Sequence, residues 1–275
     1  MINPLVIYTE LLTGSNRFEE LIPYDACPLC GSKDFSTHKR ADCSKYPHFR
    51  LPLSPTLSWM KCSACIHSFR DGFYTEQAFA ILFEKTHPNQ TVGYDYERQR
   101  TVWARVIEKV APHQRSGLWV DVGFGNGALL LTAAEFGFEP FGIDLRERNV
   151  ADLHALGVAC AVRDFAQTNV EPKASVISMC DVLEHMQFPL KSLASAHRNL
   201  QVGGVLLLSM PNQGSPVWQL LDRAGQNPYW GEMEHFHNCS KRLIENILSQ
   251  VGFLPVAYGV SERYRACMEI IAIRA

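Results

Sequence analysis

Two pairs of cysteines, Cys27 with Cys30 and Cys62 with Cys65, are each separated by two residues. Four thiolates arranged as two such pairs are what a tetrahedral structural zinc ion needs. Gly31 follows the first pair directly and suits a tight turn there. Redox chemistry is the alternative, but a redox pair of this spacing opens a helix in a βαβ unit, which this region does not predict. We therefore expect zinc to be bound by these four cysteines.

The other cysteines do not change this interpretation. The chain has nine cysteines, an odd number, which argues against a complete disulfide framework and for a metal site in a cytosolic protein. Cys43 and His67 lie close to the two pairs, yet four thiolates already fill the site. We expect both to be bystanders.

A glycine-rich segment, V-D-V-G-F-G-N-G-A at 120–128, follows an apolar run and opens a helical pattern. Glycines there let a ligand approach backbone N–H groups at a helix N-terminus. The segment can be interpreted as a dinucleotide fingerprint, with Asp144 on a ribose. Asp121, two residues before Gly123, is a poor neighbour for a pyrophosphate but a good one for a ligand with ammonium and sulfonium charges.

Two Glu-His clusters, Glu184-His185 and Glu234-His235-Phe236-His237, could supply acid–base chemistry. An imidazole suits such a role because its unperturbed pKa lies near neutrality. A catalytic metal could also be bound by two histidines and two glutamates, but two Glu-His dipeptides have no recognised ligand spacing. The sequence therefore favours proton transfer over a metal at these clusters.

The elements that must position these residues begin near residue 94. Short apolar runs alternate with helical segments, which predicts a parallel sheet covered by helices on both faces. The last two strands, 254–260 and 265–273, are close enough in sequence to form an antiparallel hairpin at the sheet edge. The other predicted strands lie at 118–122, 140–144, 159–164, 174–179 and 205–210, and the helices between and after them at 128–137, 147–157, 188–200 and 240–253.

The domain boundary is predicted where the composition changes. The segment before about residue 75 is rich in Pro, Ser and Cys and predicts loops and short strands, whereas residues 94–111 have helical periodicity. We expect a small zinc-ribbon-like unit over 1–90 and a larger α/β domain over 91–275. An irregular insert at 211–238 is long enough to be a lid or a binding segment.

Composition excludes several classes of protein. Of the 275 residues 47% are apolar and 20% charged, which is typical of an ordinary globular protein and not of a disordered or fibrous chain. A net charge of −2 provides no global surface for nucleic acid or an anionic membrane. The first twenty residues fit neither a signal nor a transit peptide, and no apolar run approaches the roughly 18 residues that span a bilayer. We expect a cytoplasmic protein with no membrane partner.

The motifs together resemble the class I S-adenosylmethionine-dependent methyltransferases over about residues 95–275. The terminal hairpin also resembles that family, and nicotinamide-binding domains normally lack it. The resemblance implies a doubly wound α/β sheet of seven strands with an antiparallel last strand. The matching motifs are D-x-G-x-G-x-G at 121–127, the acid Asp144 after the second strand, R-D-F at 163–165, D-V-L-E-H at 181–185 and V-G-G before the fifth strand.

The resemblance implies roles for seven cofactor-binding residues. Asp121, Gly123 and Gly125 would line the methionine end of S-adenosylmethionine, and Asp144 would accept hydrogen bonds from both ribose hydroxyls. Asp164 would bind the adenine amino group, Phe165 could lie against the adenine ring, and Asp181 would fall beside the cofactor at the end of the fourth strand. Helix capping by Asp144, a turn at Asp164 and core packing of Phe165 are the alternatives.

The second Glu-His cluster is similar to the E-H-x-x-x-x-[ST] stretch of quinone-type O-methyltransferases and sugar C-methyltransferases. His235 is therefore the first candidate for a general base and His237 the second, if the acceptor must lose a proton. The alternative is that His235 holds the insert in place by a backbone hydrogen bond. We expect His185 to be structural.

A four-cysteine module before a methyltransferase domain resembles the subgroup that includes sugar C-methyltransferases, although this chain is shorter. The sequence predicts methyl transfer to a small molecule or metabolite. The alternatives are an RNA or protein methyltransferase that uses the zinc module for recognition, or a non-catalytic binding protein of the same fold. Slight overall acidity and the lack of a stacking platform disfavour nucleic acid. The oligomeric state is open.

Overall fold

The computed structural model describes residues 19–82 and 87–275, so the expectation about a leader peptide falls mostly outside the described residues. The described chain begins with a small β-rich unit in which β2, β3 and β4 form an antiparallel sheet and β1 pairs with β5. The elements of this unit are β1 (Leu21–Pro23), β2 (Phe35–Asp42), β3 (Thr56–Cys62), β4 (Ser68–Arg70), β5 (Gly72–Tyr74) and helix α1 (Glu76–Leu82).

Helices and strands alternate through the rest of the chain. In order they are α2 (Tyr96–Val110), β6 (Gly117–Val122), α3 (Ala128–Glu135), β7 (Phe138–Asp144), α4 (Glu147–Ala155), β8 (Ala159–Val162), β9 (Ala174–Cys180), α5 (Pro189–Asn199), β10 (Leu200–Pro211), α6 (Pro216–Arg223), β11 (His237–Asn238), α7 (Lys241–Val251), β12 (Phe253–Val260) and β13 (Cys267–Arg274). Each helix and strand predicted from residue 118 onward is present, with its ends shifted by a few residues.

The central sheet has seven strands in the order β12-β13-β10-β9-β6-β7-β8. The pairs β10–β9, β9–β6, β6–β7 and β7–β8 are parallel, whereas β13 runs antiparallel to both β10 and β12. The predicted doubly wound sheet with an antiparallel last strand is confirmed. Its carboxyl edge carries the ends of β6, β7 and β9, where Asp121, Asp144 and Asp181 lie.

Side chains alternate between the two faces of this sheet, as the two-residue period of a strand requires. On one face Val120, Ile177 and Leu208 pack in the main core with helices α5 and α7. On the other face Trp119 and Val176 pack against α2, α3 and α4. The strand β9 is buried along almost its whole length, and five of its seven residues are apolar, as expected for a central parallel strand.

Local capping fixes the helix that precedes the last hairpin. Ser240 accepts a hydrogen bond from the Leu243 backbone N–H at 3.3 Å, as predicted for an N-cap. Gly252 ends α7 in the left-handed region with φ +97°. Because a left-handed residue ends a helix abruptly, β12 can begin at Phe253.

The insert at 211–238 is joined to the N-terminal unit. Its strand β11 pairs antiparallel with β4, so the insert adds a fourth strand to the N-terminal sheet. A third core then forms between the two regions, where Trp59 and Tyr74 pack with Trp230 and Phe236. The segment predicted to contain loops and short strands contains the long hairpin of β2 and β3.

Within residues 19–82 and 87–275, none of the helices combines the length and apolar character that crossing a membrane requires.

Candidate functional site

The glycine segment lies between β6 and α3 at the carboxyl edge of the sheet. Gly123 and Gly125 have φ values of +65° and +58°, in the region that favours glycine. A Cβ atom on Gly125 would lie 2.4 Å from Gln90 Oε1, and one on Gly123 would lie 2.8 Å from a Val182 methyl carbon. The Asn149 amide also donates to the Gly125 carbonyl at 2.7 Å. The segment is therefore a glycine cradle whose backbone angles and close contacts with Gln90 and Val182 both require glycine.

Asp121 is the penultimate residue of β6 and lies two residues before Gly123. The side chain is buried, and Ser178 Oγ donates to its Oδ1 at 2.6 Å. Burial raises the pKa of Asp121 to about 7, although the hydrogen bond from Ser178 and the charge of Arg263 lower it. A buried carboxyl of this kind is stabilised in its ionised form when a cation binds beside it.

Asp144 ends β7 and is also buried. Its two oxygens accept hydrogen bonds from the Arg146 guanidinium at 2.8 and 2.6 Å, and Oδ1 also accepts the Arg146 backbone N–H at 3.0 Å. Because each carboxylate oxygen has two lone pairs, Oδ2 keeps capacity for one further donor. The structure thus places Asp144 on the same sheet edge as Asp121, with its orientation fixed by Arg146.

Asp164 and Phe165 follow β8, and their side chains lie in different environments. Asp164 is exposed and accepts a hydrogen bond from the Ala166 N–H at 2.9 Å, which starts the short turn 165–167. Phe165 is 2% exposed and packs in the main core. The turn at Asp164 and the packing of Phe165 were the two alternatives to cofactor contact, so an adenine contact at Phe165 stays a prediction.

Asp181 lies just beyond β9 with φ +56°, a strained value for an aspartate. Ser209 donates to its Oδ1 at 2.9 Å, and the Arg263 guanidinium pairs with its Oδ2 at 2.7 Å. Arg263 comes from the turn between β12 and β13, and its guanidinium carbon lies 4.3 Å from the Trp103 ring centroid. This arginine was not identified from the sequence, since nothing local to the turn marks it.

His235 is buried in the insert beside three ionisable groups. Its Nε2 forms an ion pair with Glu232 at 2.8 Å, and its ring meets that of His185 edge to face with centroids 4.6 Å apart. Burial alone would lower the pKa of His235, but Glu232 raises it to about 9. Burial raises the pKa of the adjacent Glu184 to about 8. Near neutral pH His235 therefore carries a proton and Glu232 balances its charge.

A metal is the alternative occupant of this cluster. Glu184, His185 and His235 each place one ligand atom within 4.8 Å of the others, a proximity that the sequence spacing did not suggest. His185 donates from Nδ1 to the Glu234 carbonyl at 3.0 Å, which leaves its Nε2 lone pair free. Because His235 uses Nε2 to contact Glu232, its Nδ1 is the nitrogen that would bind a metal after losing its proton, and the raised pKa of His235 makes that loss less favourable near neutral pH.

His237 does not join this group. Its Nε2 donates to the Met186 carbonyl at 2.8 Å, and its ring lies against His67 with centroids 5.2 Å apart. Burial lowers the pKa of His237 to about 3. The side chain therefore links the insert to the segment after β9 and to the N-terminal unit, and its service as a base stays a prediction.

The N-terminal unit holds the insert that carries His235. The Trp59 indole N–H donates to the Trp230 carbonyl at 2.9 Å, and Tyr74 donates to the Met233 carbonyl at 3.1 Å. Tyr46 donates to the Glu234 carboxylate at 2.6 Å. These contacts reach residues just before His235, and β11 pairs with β4 just after it, so folding of the N-terminal unit determines where this histidine lies.

The four predicted zinc ligands come together as two knuckles. The Cys27 and Cys65 sulfurs are 3.7 Å apart and those of Cys30 and Cys62 are 3.5 Å apart. All four sulfurs lie within 4.8 Å of one another. This set of soft donors at mutual contact is what a tetrahedral zinc ion requires.

The two knuckles have the same backbone design. Gly31 and Ile66, each directly after the second cysteine of its pair, have φ values of +71° and +63°. Their N–H groups donate to the carbonyls of Cys27 and Cys62. His67 Nδ1 lies 3.5 Å from the Cys27 sulfur, so it contacts the site that the four thiols fill.

Sequence reasoning missed two residues of the candidate site that have readable signals. Glu232 precedes His235 by three residues, a spacing at which side chains of a helical turn meet. Ser178 lies on β9 opposite Asp121 in the parallel register, and this pairing follows from the predicted strand order. Gln90, which covers the glycine cradle, lies in an irregular segment and gives no signal.

Much of the chain resembles known methyltransferase sequences. Residues 94–258, more than half of the chain, match the sequence profile of the methyltransferase domain family. The ubiquinone biosynthesis O-methyltransferase of Cereibacter sphaeroides strain KD131 is 31% identical over 140 residues, which cover 48% of this chain and 56% of that relative. The enzyme of the same name from Pseudomonas paraeruginosa strain PA7 is 34% identical over 108 residues, which cover 36% and 46%. The chain thus spans about half the length of the curated relatives it matches.

Among solved structures, magnesium protoporphyrin IX methyltransferase from Synechocystis PCC 6803, solved with bound SAH, superposes with a TM-score of 0.52. The two share 22% sequence identity over 65% of this chain and 84% of that one. At this identity the likeness establishes a common fold.

Proposed function

The chain belongs to the methyltransferase domain family, and from that premise we propose that it transfers a methyl group from S-adenosylmethionine to a small-molecule acceptor. The observation that carries the proposal is the glycine cradle flanked by two buried carboxyls, Asp121 and Asp144, on one sheet edge. S-adenosylmethionine, when bound, supplies an electrophilic methyl group on a sulfonium sulfur.

The residues of the cradle fit this cofactor. Asp121 is a buried acid that needs a cation, and the methionine end of the cofactor carries an ammonium and a sulfonium. Asp144 keeps one lone pair on Oδ2 for a ribose hydroxyl, and Gly123 and Gly125 give the segment the positive φ values that turn its backbone at the sheet edge. Asp164, Phe165 and Asp181 complete the proposed cofactor set at the ends of the neighbouring strands.

His235 is proposed to act on the acceptor. Because Glu232 keeps His235 protonated, its Nδ1–H is available as a hydrogen-bond donor, and Nδ1 has no partner among residues 19–82 and 87–275. Such a donor would orient an acceptor oxygen and favour its ionised form. A general-base role, as predicted from sequence, would require the imidazole to be neutral.

We propose that the four thiols of Cys27, Cys30, Cys62 and Cys65 bind a structural zinc ion. The two knuckles are supported by backbone hydrogen bonds whether or not they hold a metal. Zinc would fix the base of the β2–β3 hairpin and hence the insert that β4 pairs with. Metal-binding thiols of this kind are kept reduced in the cytoplasm, which is where we place the protein.

The experiment that tests the cofactor is calorimetric titration with S-adenosylmethionine and, in parallel, with NAD, on the wild type and an Asp144→Ala variant. We expect saturable binding of S-adenosylmethionine alone, weakened about tenfold or more by the substitution because hydrogen bonds to a charged group are lost. Arg148→Ala, which changes an exposed residue of α4, should bind as the wild type does. Binding of NAD, or of neither ligand, would refute the proposal.

The role of His235 has its own test. With radiolabelled methyl donor and cell-extract fractions as acceptors, His235→Gln should lower the transfer rate about 100-fold or more while cofactor affinity stays within about twofold. His154→Gln, an exposed histidine of α4, is the matched control. An unchanged rate in His235→Gln would assign this histidine to holding the insert in place.

A further inference from the structure

A cavity of about 510 Å³ lies between the insert and the turn that joins β12 to β13. Its volume is in the range that holds a small-molecule ligand. Glu232, the partner of His235, lines it together with Tyr229, which stacks on the His235 ring at a centroid distance of 6.1 Å. None of the residues proposed to hold the cofactor lines this cavity, but Arg263, which does, contacts Asp181.

Arg263 lines the cavity with one edge of its guanidinium uncommitted. The Nη1 atom pairs with Asp181 at 2.7 Å, whereas Nε and Nη2 have no hydrogen-bond partner within the described residues. These two nitrogens form the side-on fork that binds a carboxylate through two parallel hydrogen bonds. Both atoms are buried in this conformation, so the guanidinium must turn toward the cavity to present the fork, and binding a ligand oxygen would recover the free energy that unpartnered buried donors cost.

The charges around the cavity favour an anion. Asp181 is balanced by Arg263, and Glu232 is balanced by the protonated His235. Arg265 also lines the cavity, is exposed, and has no acidic partner in the part of the chain that the structure describes. The cavity therefore holds one positive charge that no carboxylate of the described residues compensates.

Two ligands could supply a carboxylate to Arg263. One source is the acceptor, which would occupy the cavity itself. The other is the methionine carboxylate of the cofactor, because the charge of Arg263 reaches Asp121. Arg265 separates the two, since it lines the cavity and has no contact with Asp121 or Asp181.

We propose that Arg263 and Arg265 form a subsite for a carboxylate of the methyl acceptor, so that the acceptor is an anionic small molecule. That the ligand is the methyl acceptor rests on the proposed function. Binding of a carboxylate at this subsite does not require methyl transfer. Tyr229 and Tyr264 provide apolar walls for the body of the ligand. Arg263 orients the carboxylate, and Glu232 connects the cavity to His235.

The test uses two probes of equal shape, 4-hydroxybenzoate and its neutral amide 4-hydroxybenzamide. Binding is measured by calorimetry on the full chain saturated with S-adenosylhomocysteine. The readout is the ratio of the two dissociation constants, which does not depend on turnover. For the wild type we expect the carboxylate to bind about tenfold or more tightly than the amide, with a Kd of about 1 mM or below.

Three variants assign the preference to the fork. In Arg263→Gln the ratio should fall to about one, and Arg263→Lys, which keeps the charge but not the fork, should keep only about a third of the preference. In Arg265→Gln the ratio should fall about threefold while S-adenosylhomocysteine binds as in the wild type. Arg242→Gln, an exposed arginine of α7, is the matched control and should change nothing.

Several results would overturn the subsite. These are equal binding of acid and amide, no saturable binding of either up to about 20 mM, or a preference that survives both glutamine variants. A loss confined to S-adenosylhomocysteine binding in Arg263→Gln, with the probe ratio unchanged, would assign the fork to the cofactor carboxylate instead. Failure of the wild type to bind S-adenosylhomocysteine would refute the proposed function, and the probe ratio measured without it would still decide the subsite.

Discussion

Asp121 is the residue where burial and charge conflict most directly at the candidate site. Its carboxyl is 4% exposed, and its pKa is raised to about 7 because burial outweighs the hydrogen bond from Ser178 and the charge of Arg263. The nearby Asp144 carboxylate adds to the rise. Because the proposed cofactor brings positive charge to this position, its binding should favour the ionised carboxylate and release a proton.

We expect the affinity for S-adenosylmethionine to rise about tenfold between about pH 6 and about pH 8. Below the pKa of Asp121 most molecules carry a proton there that must leave on binding, whereas above it the carboxylate is already ionised. Calorimetric titrations across this range give the affinity, and repeating them in buffers of different ionisation enthalpy counts the released protons.

The control for this pH dependence is Asp121→Asn, which has nearly the same shape and cannot ionise. Its affinity should be lower than that of the wild type above about pH 7 and nearly flat across the range. A wild-type affinity that does not change with pH would mean that Asp121 does not meet the cationic end of the cofactor.

Individual residues of the site were predictable where the chemistry is carried by adjacent positions. The four cysteines and the acids at the ends of β6 and β7 follow from spacing, and the structure brings each group together. Arg263 was not predictable, because its contact with Asp181 joins two segments far apart in the chain. The proton on His235 was also beyond the sequence, since it depends on how deeply Glu232 and His235 are buried together.

At the scale of elements, the pairing of β11 with β4 forms a junction between the insert and the N-terminal sheet. Trp59 on β3 supports this junction. Its side chain is fully buried, donates to the Trp230 carbonyl at 2.9 Å and meets the Trp230 ring edge to face at 5.2 Å. The junction thus rests on a large apolar contact and one directed hydrogen bond.

We expect Trp59→Phe to lower the free energy of unfolding by about 1–3 kcal/mol, because the buried Trp230 carbonyl loses its donor and a small cavity forms. Amide hydrogen exchange should become faster in residues 228–238, since the element that covers them is loosened. Both quantities can be measured on the purified chain by denaturant unfolding and exchange mass spectrometry.

Trp119→Phe is the matched comparison for this junction. Trp119 on β6 is equally buried and donates to Ser178 Oγ at 2.9 Å, but it packs on the far face of the central sheet. It should destabilise the chain by a similar amount without faster exchange at 228–238. Equal exchange in the two variants would show that the insert does not depend on β3.

The elements from α2 onward were predictable because each has a clear period or a continuous buried run. The hairpin of β2 and β3 lies in a segment for which only loops and short strands were predicted. Its strand β2 is exposed or half-buried throughout and has few apolar residues, so it has no clear strand pattern. The strand β11 is only two residues long, so it has no pattern of its own. Both depend on tertiary pairing that a local sequence pattern does not carry.

Across the whole molecule, the zinc knuckles, the N-terminal sheet and the insert form a continuous path to His235. The third core joins the N-terminal unit to the insert and to the start of β13, whereas the glycine cradle lies between the two cores of the central sheet. The domain boundary near residue 90 stays a prediction. Strand β11 of the later part of the chain pairs with β4 of the N-terminal sheet. The N-terminal unit therefore holds the insert with His235, whereas the central sheet holds the glycine cradle.

Removal of zinc should accordingly separate the two halves of the site. After chelation we expect the thermal midpoint to fall by about 6–12 °C, the shift that a loss of about 3 kcal/mol gives in a chain of this size. Affinity for S-adenosylhomocysteine, measured at a temperature where the chain stays folded, should remain within about twofold, while binding of 4-hydroxybenzoate should be lost because the insert is no longer held.

Cys62→Ser should reproduce this result and bind no zinc, whereas Cys160→Ser, which changes a cysteine of β8 outside the cluster, should bind one zinc per chain as the wild type does. If chelation weakened both ligands equally, the cradle and the insert would share one support, and the zinc module would stabilise the domain as a whole.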